Sequence, residues 1–101
     1  MNNFTALYRI LSYLETAMDD DEINLDRLSA ESIGVSENRA VGLIMMLVEE
    51  DYVEGIKVSQ AAEGSFEVAF IAPHITLKGL EYLSESPQML KAAIGEMKKN
   101  G

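Results

Sequence analysis

Val53-Glu54-Gly55-Ile56-Lys57-Val58-Ser59-Gln60-Ala61-Ala62-Glu63-Gly64-Ser65-Phe66-Glu67-Val68-Ala69-Phe70 changes the hydrophobic period of the chain from a helical spacing to a spacing of two. Val53, Ile56 and Val58 lie in a β-branched run, and Phe66, Val68 and Phe70 alternate with Glu67 and Ala69. Alternation of this kind suits a pleated ribbon with one face covered. Between the two runs, Ser59 to Gly64 is polar and flexible, and it is longer than a tight two-residue turn. The stretch therefore predicts a two-stranded antiparallel hairpin whose tip projects into solvent.

What flanks the hairpin is helical. Upstream, Ser36 is placed to cap a helix with Glu37 in its first turn, and Arg39 to Glu50 contain no breaker except Gly42. Val41, Ile44, Leu47 and Val48 form one stripe of that helix, while Leu43, Met45 and Met46 spread apolar surface beyond a single face. Before it, Asn24 caps a short helix carrying Leu25 and Leu28, and Ile33-Gly34 closes it, glycine taking the left-handed turn at little cost. The first helix carries Phe4, Leu7, Tyr8, Leu11, Leu14 and Met18 at spacings of three and four, and it gives way to a loop at Asp19-Asp20-Asp21-Glu22. Helix, short helix, a Gly34-Val35-Ser36 turn and a third helix make a helix-turn-helix. A hairpin following it is a wing.

Downstream, Pro73 is expected to end the second strand, because proline has no N–H for the ladder. Thr76 then caps a helix burying Leu77, Leu80 and Leu83, and Ser86-Pro87 starts a last helix with Leu90, Ala93, Ile94 and Met97 at i, i+3, i+4 and i+7 of one apolar face. Asn100-Gly101 is expected to fray. The fold class expected is α+β: a winged helix-turn-helix in one domain, residues 1–101, with a wing at about 53–72 and C-terminal helices at about 76–99.

Composition narrows the function. The chain has 101 residues, 48% hydrophobic and 25% charged, the balance of a packed globule. It has no cysteine, which removes disulfides, thiolate metal sites and thiol catalysis. Met1-Asn2-Asn3-Phe4 lacks the basic start of a targeting signal, and no apolar run approaches the roughly 20 residues of a membrane span. A cytoplasmic location without membrane contact is expected. Eight basic residues face seventeen acidic ones, for a net charge of −9, which repels phosphate and anionic lipid at long range.

Ile75-Thr76-Leu77-Lys78-Gly79-Leu80-Glu81-Tyr82-Leu83 resembles the Thr-x-x-Gly-x-x-Tyr-Leu helix of the YjcQ-like family, small winged-helix proteins of Gram-positive bacteria and their phages. Leu47 to Gly55 is similar to that family's passage from the third helix into the first wing strand, and Arg9 to Glu15 resembles its first helix. The likeness covers roughly residues 4 to 92. It departs at Asp51, where the family often has glycine before the aromatic residue. The resemblance implies the winged-helix fold, and a function only by analogy with other winged helices. Gly79, in the first turn of a helix, costs up to about 1 kcal/mol relative to alanine, so its presence implies a close neighbour.

A winged helix reads duplex DNA with its third helix in the major groove and its wing on the backbone. Ser36, Asn38 and Arg39 on the helix, with Lys57, Ser59 and Gln60 on the hairpin, are the candidate contacts. The cations are few. Residues 36–50 hold Arg39 against Glu37, Glu49 and Glu50, and residues 54–67 hold Lys57 against Glu54, Glu63 and Glu67, a net −2 in each. Phosphate neutralisation supplies most non-specific affinity, so binding would be weak. Leu43, Met45 and Met46 offer a different use, since methionine is favoured on surfaces that accept partners. The expected role is a DNA-associated regulatory or accessory module of phage or prophage type. The alternative is an acidic protein-interaction module, homodimeric or bound to a phage or host protein, that has lost DNA binding. Catalysis and cofactors are not expected. His74 stands alone beside Pro73, the acid run lacks calcium-loop spacing, and there is no nucleophile elbow or phosphate-binding glycine loop.

Overall fold

The structure, a computed structural model, describes residues 2–100; Met1 and Gly101 lie outside them. Helix α1 spans Asn3–Thr16, with the Asn2 side chain accepting the Thr5 N–H at 2.8 Å. It is buried on more sides than the six-residue stripe predicted: Ala6, Ile10 and Tyr13 join Leu7, Leu11 and Leu14 in the core, while Phe4 and Met18 at its ends are exposed. After a 3-10 turn at Ala17–Asp19, the acidic loop leads to a second 3-10 turn, Leu25–Leu28, capped by Asn24. The single short helix expected here is two pieces. Ser29 is extended at φ −70°, ψ 155° and caps α2, Ala30–Ile33, which closes at Gly34 in the left-handed conformation, φ 82°. The Tyr13 hydroxyl accepts the Asn24 N–H at 2.7 Å and ties this segment to α1.

Helix α3 spans Glu37–Glu49, with Ser36 accepting the Arg39 N–H at 3.2 Å. It ends in a Schellman arrangement, in which the Tyr52 N–H reaches the Leu47 carbonyl at 2.9 Å and the Asp51 N–H reaches that of Val48 at 3.0 Å. Asp51 takes the left-handed conformation, φ 61°, so the turn is built as glycine would build it.

Strands β1, Val53–Gln60, and β2, Phe66–Ile75, form a two-stranded antiparallel sheet. Pro73 does not end β2, which continues to Ile75. The register shifts between Glu54 and Ile56, and Pro73 sits in that irregularity, where its missing N–H costs no ladder bond. Gly55 makes the shift feasible: its φ is 78°, and a Cβ there would strike the Ala72 carbonyl.

Thr76 caps α4, Leu77–Glu85, accepting the Gly79 N–H at 3.0 Å and donating to the Asp51 carbonyl at 2.6 Å. The close neighbour of Gly79 is the Tyr52 carbonyl, which a Cβ would strike. One turn on, Tyr82 stacks on Tyr52 with ring centroids 4.5 Å apart. Leu80 and Leu83 pack against the core, but Leu77, at the start of the helix, is exposed, a correction to its expected burial.

Helix α5, Pro87–Asn100, begins with Ser86 accepting the Met89 N–H at 3.4 Å. The helix includes Asn100, and Gly101, the other residue expected to fray, is outside the described residues. Its buried face is not the predicted one. Met89 and Ala92 are buried, Ala93 and Glu96 half-buried, and Leu90, Ile94 and Met97 are exposed. The small alanines let α5 approach α1 closely, and Glu96 pairs with Arg9 at 3.0 Å, which also reaches the Ile33 carbonyl at 3.4 Å. The result is a winged helix: α1 at the centre, α2 and α3 as the helix-turn-helix, the β1–β2 hairpin as wing, and α4 and α5 across α1. Among the described residues no helix is long and apolar enough to cross a membrane.

Candidate functional site

The surface available to a partner lies between α3 and the wing, and its character follows from two periodicities. On α3, Ala40, Leu43, Ile44 and Leu47 are buried, which turns Asn38, Gly42, Met45 and Glu49 outward along the opposite line. On the ribbon, the pairs Ile56↔Phe70, Val58↔Val68 and Gln60↔Phe66 share one face, and Lys57↔Ala69 and Ser59↔Glu67 share the other.

The first ribbon face looks toward α3. A cleft of about 320 Å³ opens between them, lined by Asn38, Val41, Gly42, Met45, Ser65 and Phe66. Phe66 is 47% exposed at its edge. Gly42 forms the floor on the helix side, where an added Cβ would meet nothing within 4 Å, so its lack of a side chain leaves the helix surface open. On the far side of Gly42, Met46 is 56% exposed and lines a shallower cleft with Asn3, Arg39 and Leu43.

The structure separates the residues proposed for DNA. Ser36 and Asn38 are exposed at the start of α3. Arg39 is exposed, and its guanidinium donates to the Asn3 side-chain carbonyl at 3.0 Å, turning toward the N-terminus of α1. Gln60 shares the α3-facing side of the ribbon, and its amide donates to the Gly64 carbonyl at 2.9 Å, closing the wing tip. Lys57 and Ser59 lie on the opposite face of the ribbon, away from the cleft. The alternation Ile56-Lys57-Val58 already carries this signal in the sequence.

Of the three residues proposed for a partner, the structure divides the set again. Met46 faces solvent and Met45 is half-buried against the wing side. Leu43 is corrected: it is only 3% exposed, because it falls one turn from Ala40 and Leu47 on the core line. Phe66 belongs to the apolar rim instead. Reading it only as a strand residue hid this; its place at the start of β2 beside the loop leaves its ring without cover.

The Glu63 carboxyl, at the wing tip, is held below the ordinary carboxylate range chiefly by the Ser65 hydroxyl, which donates to it at 2.8 Å. Elsewhere, His74 Nε2 lies 3.5 Å from Glu54 and its Nδ1 lies 2.9 Å from the Ala72 carbonyl oxygen, a local arrangement at the bulge away from the cleft.

The sequence profile described as YjcQ protein matches residues 8–99, nearly the whole chain. The chain belongs to the YjcQ family. The Thr76 cap, the Gly79 approach to the Tyr52 carbonyl and the Tyr52–Tyr82 stack give the YjcQ-like Thr-x-x-Gly-x-x-Tyr-Leu segment a physical role, locking α4 onto the end of α3 and the start of the wing. No curated protein and no solved structure matches the chain.

Proposed function

We propose that this YjcQ-family protein is a non-enzymatic, cytoplasmic protein-interaction module, and that the cleft between α3 and the wing, together with the shallower cleft lined by Met46 beyond Gly42, takes an apolar segment of a protein partner. The observation carrying this reading is the pairing of Met46, 56% exposed, with Phe66, 47% exposed, on either side of the open floor at Gly42. Adaptable methionines and an aromatic edge on a groove favour protein contacts. The charge supports the same reading: α3 and the wing are each acidic, and their two cations, Arg39 and Lys57, point to different sides of the surface these elements form. One or two phosphate contacts release too few counterions for useful affinity.

The second reading is a DNA-associated accessory protein of phage or prophage type. It is supported by the winged-helix layout and by the exposure of Ser36 and Asn38 where a recognition helix reads base edges. A photoreactive methionine analogue at position 46, irradiated in producing cells, separates the two. A protease-sensitive, nuclease-resistant adduct is expected; a nuclease-sensitive adduct, or none, overturns the proposal. Titration of labelled duplex DNA gives the complementary result: no binding is expected at about 0.1 mM protein in low salt, whereas binding that weakens steeply with salt favours the second reading.

A further inference from the structure

The exposed face of α5 is amphipathic in a way its buried face does not require. Leu90, 62% exposed, Ile94 and Met97, 72% exposed, fall at i, i+4 and i+7 and form a continuous apolar stripe. Lys91, Lys98 and Lys99 are exposed on the same helix, and its one carboxylate, Glu96, is turned inward to Arg9. The outward surface of α5 is therefore apolar and basic on a chain whose net charge is −9.

The chain also carries the complement. A cleft of about 440 Å³ lies between the second 3-10 turn and β2, lined by Ile23, Leu25, Phe70, Ile71 and Pro73, with Glu22 at its rim. Ile71 is 72% exposed, and Leu25 is exposed beside it. Residues 19–26 around it hold Asp19, Asp20, Asp21, Glu22 and Asp26 with no cation, a local −5. The next cation, Arg27, is held over the Tyr13 ring at 5.0 Å. Pro73 lacks the N–H that an added strand would need, so the cleft suits side chains delivered by a helix better than an extended peptide.

We infer that α5 of one copy docks its Leu90-Ile94-Met97 stripe into the Leu25–Ile71 cleft of a second copy, with the lysines of α5 against the acidic loop. Two features point to a second copy as the occupant. The apolar stripe and basic flank match the apolar floor and acidic rim in both respects, and one chain supplies both halves. Its own α5 cannot serve, because Met89, Ala92 and the Arg9–Glu96 pair fix the opposite face of that helix against α1. The contact joins two different patches: made reciprocally it closes as a two-fold dimer, and made one way it is heterologous and extends into chains. It uses the base of β2, Phe70 to Pro73, but neither α3 nor the Phe66 end of the wing, so it stands or falls separately from the proposed function.

Sedimentation velocity on the full chain, from about 10 µM to about 1 mM, reads the association. Self-association is expected. Leu90→Ser/Ile94→Ser and Leu25→Ser/Ile71→Ser change exposed positions only, and each variant is expected to weaken self-association by at least about tenfold. Mixed together, they are expected to form a 1:1 complex, because one keeps an intact cleft and the other an intact helix. Lys91→Glu/Lys98→Glu gives the same loss by charge alone and serves if a serine variant does not fold. A wild-type chain monomeric at about 1 mM overturns the inference. So do two weakened variants that fail to pair with each other, the result expected if α5 paired with α5, and a cleft variant that associates as the wild type does.

Discussion

Asp51 occupies the left-handed position that ends α3, at φ 61°, where a side chain with a Cβ is strained. Its carboxylate also follows Glu49 and Glu50 at the negative end of the helix dipole, so both backbone and charge work against it. The hydrogen bonds of this turn use only its main chain: its N–H to Val48 and its carbonyl from Thr76. Asp51→Gly therefore keeps them and removes both penalties. It is expected to stabilise the fold by about 1 kcal/mol, raising Tm by about 4–8 °C in a thermal melt. Gly79 is the opposite case. Alanine in the first turn of α4 would gain up to about 1 kcal/mol from helix propensity alone. Its Cβ, however, would strike the Tyr52 carbonyl and crowd Ile75, both parts of the buried junction. Gly79→Ala is expected to cost about 1–3 kcal/mol net. It is also expected to change the near-ultraviolet tyrosine circular dichroism as the Tyr52–Tyr82 stack shifts. An unchanged or raised Tm would show that the junction yields freely.

The elements whose signals are local were legible in the sequence. Ser36, Thr76 and Ser86-Pro87 each cap the helix expected of them, and the period-two runs pair as the hairpin. Features that depend on a choice between faces were less so. Helix α5 carries two candidate stripes, and the more hydrophobic one is exposed. The chain buries Met89 and Ala92 instead, because the small Ala92 allows close approach to α1 and the Arg9–Glu96 pair forms only in that rotation. Pro73 read as a strand end because the sequence signals donor loss but not the bulge that accommodates it. The phase change from Val53 to Ile56, three residues apart in a period-two run, was the available sign. The candidate site was legible in part. The polar start of α3 follows from its cap, whereas the apolar residues spread around the helix left the facing of Met45 and Met46 open, and Phe66 gains its role only from the loop beside it.

Charge acts on the molecule as a whole. Seventeen carboxylates and eight cations share a body whose principal extents are 44 × 28 × 23 Å, so many like charges lie within a few Debye lengths of each other in dilute buffer. Among the described residues, Arg9–Glu96 is the one carboxylate pair with a lysine or arginine inside 4.0 Å, and attraction of that kind is sparse. Self-repulsion of a net −9 opposes the folded state, where the charges are closest, more than the expanded unfolded chain. Screening weakens both terms, but the repulsive one is larger. Raising NaCl from about 10 mM, where the Debye length is about 30 Å, to about 150 mM, where it is about 8 Å, is therefore expected to raise Tm by several degrees. The melt belongs at about 10 µM protein, so that any self-association contributes little. A Tm that falls across the same range would mean that the few attractive contacts outweigh the repulsion, and would shift the source of stability from burial toward ion pairing.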